Sequence, residues 1–396
     1  MTPFDTSQVR FGVNYTPSRH WYYCWNDWDA RSIQADFRAL AALGIDHLRV
    51  QLIWPYFQPN PAYVSEAHLR RLSELVQLAA DQGLDVLLSL LTGFLSGYAF
   101  LPSNVSPRAV FTDPDVLESE VLFAHRVLET VGDRANFMGL DLGNEINCLD
   151  QGLDAAIGDR WAAQFLDRVR PRISGRLIVN GVDNYPWMVG STFTPRHLAS
   201  DAYDMATMHC WPEFSGCLAG GRRLDEAPSL YLSRFYCEWV SLFSPRPRPR
   251  WIQEFGCCDL WGTPEEQDRY LRRGVELALE AGAAWFTFWC SHDKTRDVKF
   301  DPFEYHYGLL STENREKRLA GVYRELAQAH RGRPAARAEP RSDVVLTVPA
   351  GFCPTTDPAL PLEAWRERTL RSDFWRYYGR YLEVIAGGGV PTLKQA

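Results

Sequence analysis

The sequence predicts a (β/α)8 barrel, an α/β fold, with a short C-terminal β-α extension. Short apolar runs alternate with longer segments of helical period, and eight such pairs precede about residue 330. Strands alternating with helices imply a parallel sheet with helical crossovers, and eight units within roughly 200 to 400 residues close into a barrel. An open nucleotide-binding sheet is the competing fold. However, the first strand is followed by Asn14-Tyr15-Thr16-Pro17 rather than a Gly-x-Gly-x-x-Gly turn, and no Gly-x-x-x-x-Gly-Lys-Ser/Thr run occurs.

Phe11-Gly12-Val13-Asn14 reads as the first strand. Asp29 can cap a helix through Ala35, Phe37, Leu40 and Leu43, because its carboxylate accepts free first-turn N–H groups; Gly44 ends it. His47 to Ile53 is the second strand. Ser65 opens a helix bearing Leu69, Leu72, Leu75, Val76 and Ala79, closed by Gly83. Asp85 to Leu90 is the third strand, and Asp113-Pro114 starts a helix through Leu117, Val121 and Leu128. Phe137 to Leu142 is the fourth strand, followed by a helix over about 154–169 and the fifth strand, Leu177 to Asn180. A short helix near Pro195 to Leu198 precedes the sixth strand, Met205 to Met208. A helix near Ser229 to Leu242 leads to the seventh strand, Trp251 to Glu254. Thr263-Pro264-Glu265-Glu266 carries the cap and proline of a helix start; that helix ends at Gly282, before the eighth strand, Trp285 to Trp289. The last barrel helix spans about Arg315 to Ala329.

Residues 1–330 are therefore the expected barrel and 331–341 (RGRPAARAEPR) a linker. In 342–396, Val344 to Val348 reads as a strand and Leu362 to Ile385 as an aromatic helical segment. One strand and one helix would leave an unpaired edge and exposed rings of Phe374, Trp375, Tyr378 and Tyr381. The extension is expected to pack on the barrel or, in a homo-oligomer, on a second subunit, and to supply no catalytic group.

With 46% hydrophobic and 23% charged residues, the chain is no disordered, collagenous or coiled-coil protein. Its net charge of -7 argues against a nucleic-acid partner, which needs a basic surface. No basic region followed by an apolar run opens the sequence, and no stretch approaches ~18 apolar residues, so no secretory signal or membrane span is expected. The nine Cys include no Cys-x-x-Cys pair, which fits buried thiols in a reducing, cytoplasmic setting without a metal site or disulfides. Cys257 and Cys258, side by side, suit neither disulfide nor zinc geometry. The 14 Trp and 17 Tyr suit a protein that stacks flat faces against a sugar.

Barrel active sites lie at the C-terminal ends of the strands. There the sequence places Gly143-Asn144-Glu145 after strand four and Gln253-Glu254-Phe255-Gly256 on strand seven. Two carboxyls facing one cavity are what glycosidic cleavage needs, one as proton donor and one as nucleophile. Glu213, Glu238 and Glu304 are rivals that end no strand in this register.

This constellation resembles the clan A glycoside hydrolases, most closely the family-five (cellulase- and mannanase-like) barrels, over about residues 8 to 330. The resemblance implies a retaining β-glycosidase with Glu145 as acid/base and Glu254 as nucleophile. Arg49, Asn144, His209 and Trp289 match the family's strand-two Arg, the Asn before the acid/base, the strand-six His and the strand-eight Trp. Arg49 would keep the nucleophile ionised, Asn144 would bond the sugar 2-hydroxyl, and Trp289 would floor the cleaved sugar. The family's His-x-Tyr becomes His209-Cys210-Trp211, so an indole N–H replaces the hydroxyl that bonds the nucleophile. The His common after strand three is also missing from Leu91-Thr92-Gly93-Phe94. Both departures mark a divergent branch. Asn14 and Tyr15 after strand one, with Trp21, Tyr22, Tyr23, Trp25 and Trp28, are expected to shape subsites, as are Trp54, Tyr56 and Phe57. His292 and Asp293 after strand eight are expected to bond sugar hydroxyls. No metal or organic cofactor is expected, and the partner is an oligosaccharide or glycoside, a β-mannoside or β-glucoside first. A β-galactosidase-type clan member and a sugar-binding barrel without catalysis are the alternatives.

Overall fold

A computed structural model describes residues 4–173, 175–296, 299, 301–335 and 343–396, apart from the side chain of Tyr22. Residues 336–341 of the expected linker, and the first three residues, lie outside the described ones.

Eight parallel strands form the barrel: β1 Arg10–Asn14, β2 His47–Ile53, β3 Asp85–Thr92, β4 Phe137–Asn144, β5 Leu177–Gly181, β6 Ala206–His209, β7 Arg250–Phe255 and β8 Ala283–Phe288. Their order is β5-β4-β3-β2-β1-β8-β7-β6, so the seam falls between consecutive strands β5 and β6. Single bonds cross it: Asp204 N–H donates to Ile178 O (2.9 Å) and Thr207 Oγ1 to Asn180 O (2.5 Å). The inner end opposite the site is plugged by Leu87, Met138, Val179, Met205, Trp251 and Trp285. Gly12 is required in β1, because a Cβ there would stand 2.3 Å from the ring of His47.

The outer helices start where the capping residues place them. Asp29 accepts from Arg31 and Ser32 N–H at α1 (Ala30–Ala42), and Ser65 from His68 N–H at α2 (Glu66–Ala80). Asp113 and Asp154 cap α3 (Pro114–Val131) and α4 (Ala155–Val169). Two four- and five-residue helices, Tyr185–Val189 and Pro195–Leu198, replace a long helix after β5. The segment expected as one helix over 229–242 breaks at Tyr231, giving Ala227–Leu230 and α5 (Leu232–Ser241). A Thr263/Glu266 capping box starts α6 (Pro264–Glu280), and α7 is Arg318–His330. No described helix is long and apolar enough to cross a membrane.

The extension is more than one strand and one helix. β9 (Val344–Val348) pairs in parallel with β10 (Pro391–Gln395), so the edge expected to be unpaired has a partner. Between them the helical segment is split into α8 (Trp365–Leu370) and α9 (Asp373–Ala386), with Ser372 capping α9. Phe374, Tyr378 and Tyr381 of α9 pack on Phe235 of α5, at ring-centroid distances of 5.0, 4.6 and 5.2 Å. Burying each such ring contributes roughly 1.5–3 kcal/mol. Their polar tips are satisfied: Tyr378 Oη donates to Pro228 O (2.6 Å) and Tyr381 Oη to Glu238 Oε1 (2.9 Å). Glu238 also accepts from Leu393 N–H, and Glu213 pairs with Arg366, so two of the rival carboxylates fasten the extension.

Candidate active site

β4 ends at Asn144, and the next residue, Glu145, takes a left-handed backbone with φ 45° and ψ 40°. That conformation is disfavoured for a side chain with a Cβ, and it is held by the Glu145 N–H bond to Gly181 O (2.7 Å) across the neighbouring strand end. Glu254 lies within β7. A cavity of about 260 Å³ opens between them, and Asn144, Trp211 and Trp289 share its wall. An oxygen of Glu145 lies within 4.8 Å of an oxygen of Glu254, and a ring nitrogen of His209 lies within the same distance of both.

The two carboxyls have different partners. Arg49, fully buried, donates from Nη1 to Glu254 Oε1 (2.9 Å) and to Asn14 Oδ1 (2.9 Å), and from Nε and Nη2 to Asp141 Oδ2 (2.9 and 2.7 Å). Trp211 Nε1 donates to Glu254 Oε2 (3.2 Å). Gly181 leaves room for this cluster, since a Cβ there would stand 2.4 Å from Asp141 Oδ2 and 2.6 Å from Arg49 Nη2. Glu145 instead faces His209, whose Nδ1 is 2.9 Å from Oε1. The amide nitrogen of Gln253 donates to the acceptor-only Asp141 Oδ2 (3.2 Å), which turns Gln253 Oε1 toward His209 Nε2 (3.4 Å). The network thus assigns the proton of a neutral His209 to Nε2 and leaves Nδ1 to accept from a protonated Glu145.

Burial pushes Glu145 up to about 8, with the neighbouring Asp183 carboxyl adding to the rise and Arg49 opposing it. Glu254 rises to about 7, again through burial, with the Glu145 carboxyl adding to the rise, while Arg49 and the Trp211 N–H favour its ionised form. Desolvation lowers His209 and keeps the imidazole neutral. Glu145 is therefore the group that holds its proton longer.

Of the residues singled out in the sequence, Glu145, Glu254, Asn144, Trp211 and Trp289 line the cavity. Asn144 Nδ2 donates to Phe94 O (3.0 Å), while its buried Oδ1 has no protein partner. Arg49, His209 and Asn14 lie beneath, where Asn14 braces Arg49 and the Gln253 carbonyl (3.0 Å). Tyr15 and His292 do not reach the cavity. Tyr15 Oη donates to Asp36 Oδ2 (2.8 Å) on α1, and His292 Nε2 meets Asn314 Oδ1 (2.9 Å). Asn14 points into the barrel, so strand alternation turns Tyr15 outward, against α1. Asp293 is taken by Lys317 Nζ (2.7 Å) and Gly308 N–H (2.9 Å).

Other cavity residues escaped the sequence reading. Asp183 lies two residues beyond β5 and accepts from Asn147 Nδ2 (2.7 Å), Cys148 Sγ (3.3 Å) and Tyr185 N–H (2.7 Å). The strand-end rule that picks out Glu145 reaches Asp183 equally, since each lies three residues past the end of its expected strand. Glu304, set aside because it ends no strand, reaches the cavity from the long loop after β8, and Lys294 and Ser96 hold its Oε2. Lys294 also lies 5.0 Å from the ring centre of Trp289. Phe214, and Trp365 and Thr369 of the extension, complete one wall. Among the described residues, one group of three has metal-ligand types within reach of each other: Glu145, His209 and Glu254. There the Arg49 guanidinium already supplies the positive charge facing Glu254.

The family model for cellulase, glycosyl hydrolase family 5, matches residues 6–295. No curated protein sequence matches. Among solved structures, a variant of the Streptomyces cattleya GH5_18 protein in complex with Manβ1-4GlcNAc is similar at a TM-score of 0.86 and 28% identity, over 98% of this chain and 94% of that one. The GH5_18 protein of Bifidobacterium longum subsp. infantis gives 0.84 and 27%, over 100% and 92%. The exo-β-1,4-mannosidase Op5Man5 from Opitutaceae bacterium strain TAV5 gives 0.82 and 24%, over 100% and 72%.

Proposed function

Since the chain belongs to glycosyl hydrolase family 5 and is a glycoside hydrolase, we propose that it cleaves β-mannosides with retention, Glu254 acting as nucleophile and Glu145 as acid/base. The observation that carries this reading is the carboxyl pair itself. One oxygen of each carboxyl lies within 4.8 Å of the other, which fits the roughly 5–5.5 Å spacing of retaining enzymes better than the gap of about 6.5–9.5 Å that inverting enzymes keep for a water. The two environments divide the roles: Arg49 and Trp211 hold Glu254 as an anion, while Glu145 keeps its proton against His209.

In the first step a Glu254 oxygen bonds to the anomeric carbon as the bond to the leaving oxygen breaks, and Glu145 gives that oxygen its proton. In the second, Glu145 takes a proton from water, the water oxygen bonds to the anomeric carbon, and Glu254 leaves as carboxylate. Asn144 Oδ1 is free to accept from the sugar 2-hydroxyl, and the Trp289 ring underlies the sugar. Mannose is favoured, and a disaccharide of the Manβ1-4GlcNAc type most of all, because two GH5_18 structures at 28% identity were solved with that ligand.

Proton NMR of aryl β-mannoside hydrolysis should show β-mannose as the first-formed product; first-formed α-mannose would overturn the assignment. Glu145→Ala should lower turnover of poor leaving groups by about 10²–10⁴-fold and of activated aryl leaving groups far less. Loss independent of leaving group would remove Glu145 from the acid role.

A further inference from the structure

We propose that the C-terminal extension builds the subsite for the leaving sugar. Trp365 and Phe214 are its stacking walls, and a second hollow beside them takes the next sugar on the reducing side. The proposal rests on the glycosidase reading above and adds to it the part of the substrate that the extension recognises.

Trp365 and Thr369 of α8 line the same cavity as Glu145 and Glu254, although both lie outside the barrel. The Trp365 ring centre is 6.1 Å from that of Phe214, with the planes at 51°, and Phe214 is 42% exposed. A second hollow of about 240 Å³ shares Phe214, Trp365 and Thr369 with the first and is closed by Gly216, Leu218 and Leu370. Sugar rings present apolar C–H faces, and two splayed aromatic rings beside a chain of cavities suit successive pyranose units. The Thr369 hydroxyl is buried without a protein partner, the kind of group that a sugar hydroxyl satisfies.

The wall is fixed in place. Arg368 Nε donates to the hydroxyl of Tyr185 (2.6 Å), itself a cavity residue, and Trp375 Nε1 donates to Ser215 O (2.6 Å) beside Phe214. Arg366 lies 5.0 Å from the Trp365 ring centre and pairs with Glu213 (3.1 Å). The side also fits. The segment meets the loops after β4, where a Cβ on Gly152 would touch Leu362, and those after β5 and β6. Glu145, which protonates the leaving oxygen, follows β4, whereas Trp289 follows β8 across the barrel.

The test compares β-mannosyl fluoride, whose leaving group fills no subsite, with a trisaccharide carrying β-mannose on two further β-1,4-linked sugars. In full-length Trp365→Ala, and separately in Phe214→Ala, the ratio of trisaccharide to fluoride kcat/KM should fall about tenfold, chiefly through KM for the trisaccharide. An unchanged ratio in both variants, including a uniform loss on both substrates, would overturn the proposal, because the extension would then only brace the barrel. If the wild-type chain hydrolyses neither substrate, the mannosidase reading has failed. The subsite is then judged by calorimetry of the trisaccharide on Glu145→Gln: about tenfold weaker binding when Trp365→Ala is added supports it, and equal binding overturns it.

Discussion

Asp183 shows how a residue outside the catalytic pair can set its working range. Its carboxyl shares the cavity with Glu145 and adds negative charge to a site where burial already favours the protonated acid. In the free enzyme, kcat/KM should rise as Glu254 ionises through about 7 and fall as Glu145 loses its proton through about 8. Asp183→Asn removes a neighbour that raises Glu145, so the alkaline limb should move to lower pH. A pH–rate series from about pH 5 to 10 checks this, and a shift to higher pH would contradict the assigned neighbour effect. At this scale the strand rule named Asn144, Glu145, His209 and Glu254 at strand ends and Arg49 within β2, residues that the fold gathers around one cavity and just beneath it. It failed for Tyr15 and His292, which follow the right strands but turn toward α1 and Asn314. It also passed over Asp141, the buried anion that shares Arg49 with Glu254, because nothing in one chain distinguishes a barrel aspartate from a capping one.

Helices and strands were legible wherever a capping residue or an unbroken apolar run marked them, which covers all eight barrel strands. β10 was missed because its five residues, PTLKQ, begin with proline, end exposed and show no sustained alternation. The junction of α3 and α4 carries a buried feature that periodicity cannot show. Glu120 on α3 is enclosed; its Oε2 accepts from Trp161 Nε1 on α4 (2.8 Å), and its Oε1 has no partner. Burial raises this carboxyl well above its usual range, so the folded chain binds the proton more tightly than the unfolded chain. That contribution to stability is fully present below the unfolded-state value of about 4.3 and is lost as pH rises above it toward the folded-state value. Glu120→Gln keeps an acceptor for Trp161 and removes the titration. Denaturant midpoints at about pH 5 and pH 8 should therefore show the variant gaining on the wild type at the higher pH. A constant difference between the two would mean that Glu120 does not ionise differently in the two states.

At the scale of the whole molecule, the extension and the barrel share one packed interior. Phe374 is fully buried, with ring centres 5.0 Å from Phe235, 4.8 Å from Tyr236 and 5.6 Å from Trp239, all on α5. The structural matches span this region too, since 98–100% of the chain aligns with the GH5_18 structures. An element that buries its aromatic face in the barrel's own helices cannot leave without exposing those helices, so the two should unfold together. Phe374→Ala should lower stability by about 3–5 kcal/mol, the usual loss for a buried aromatic ring, and shift a single calorimetric transition as a whole. The trisaccharide-to-fluoride ratio should stay constant up to that transition, because α8 and α9 are consecutive and every folded molecule then carries the Trp365 wall. A separate early transition, with the barrel melting at its original temperature, would show instead that the extension is an independent module, and Trp365 would then be delivered to the cavity by a contact that opens on its own.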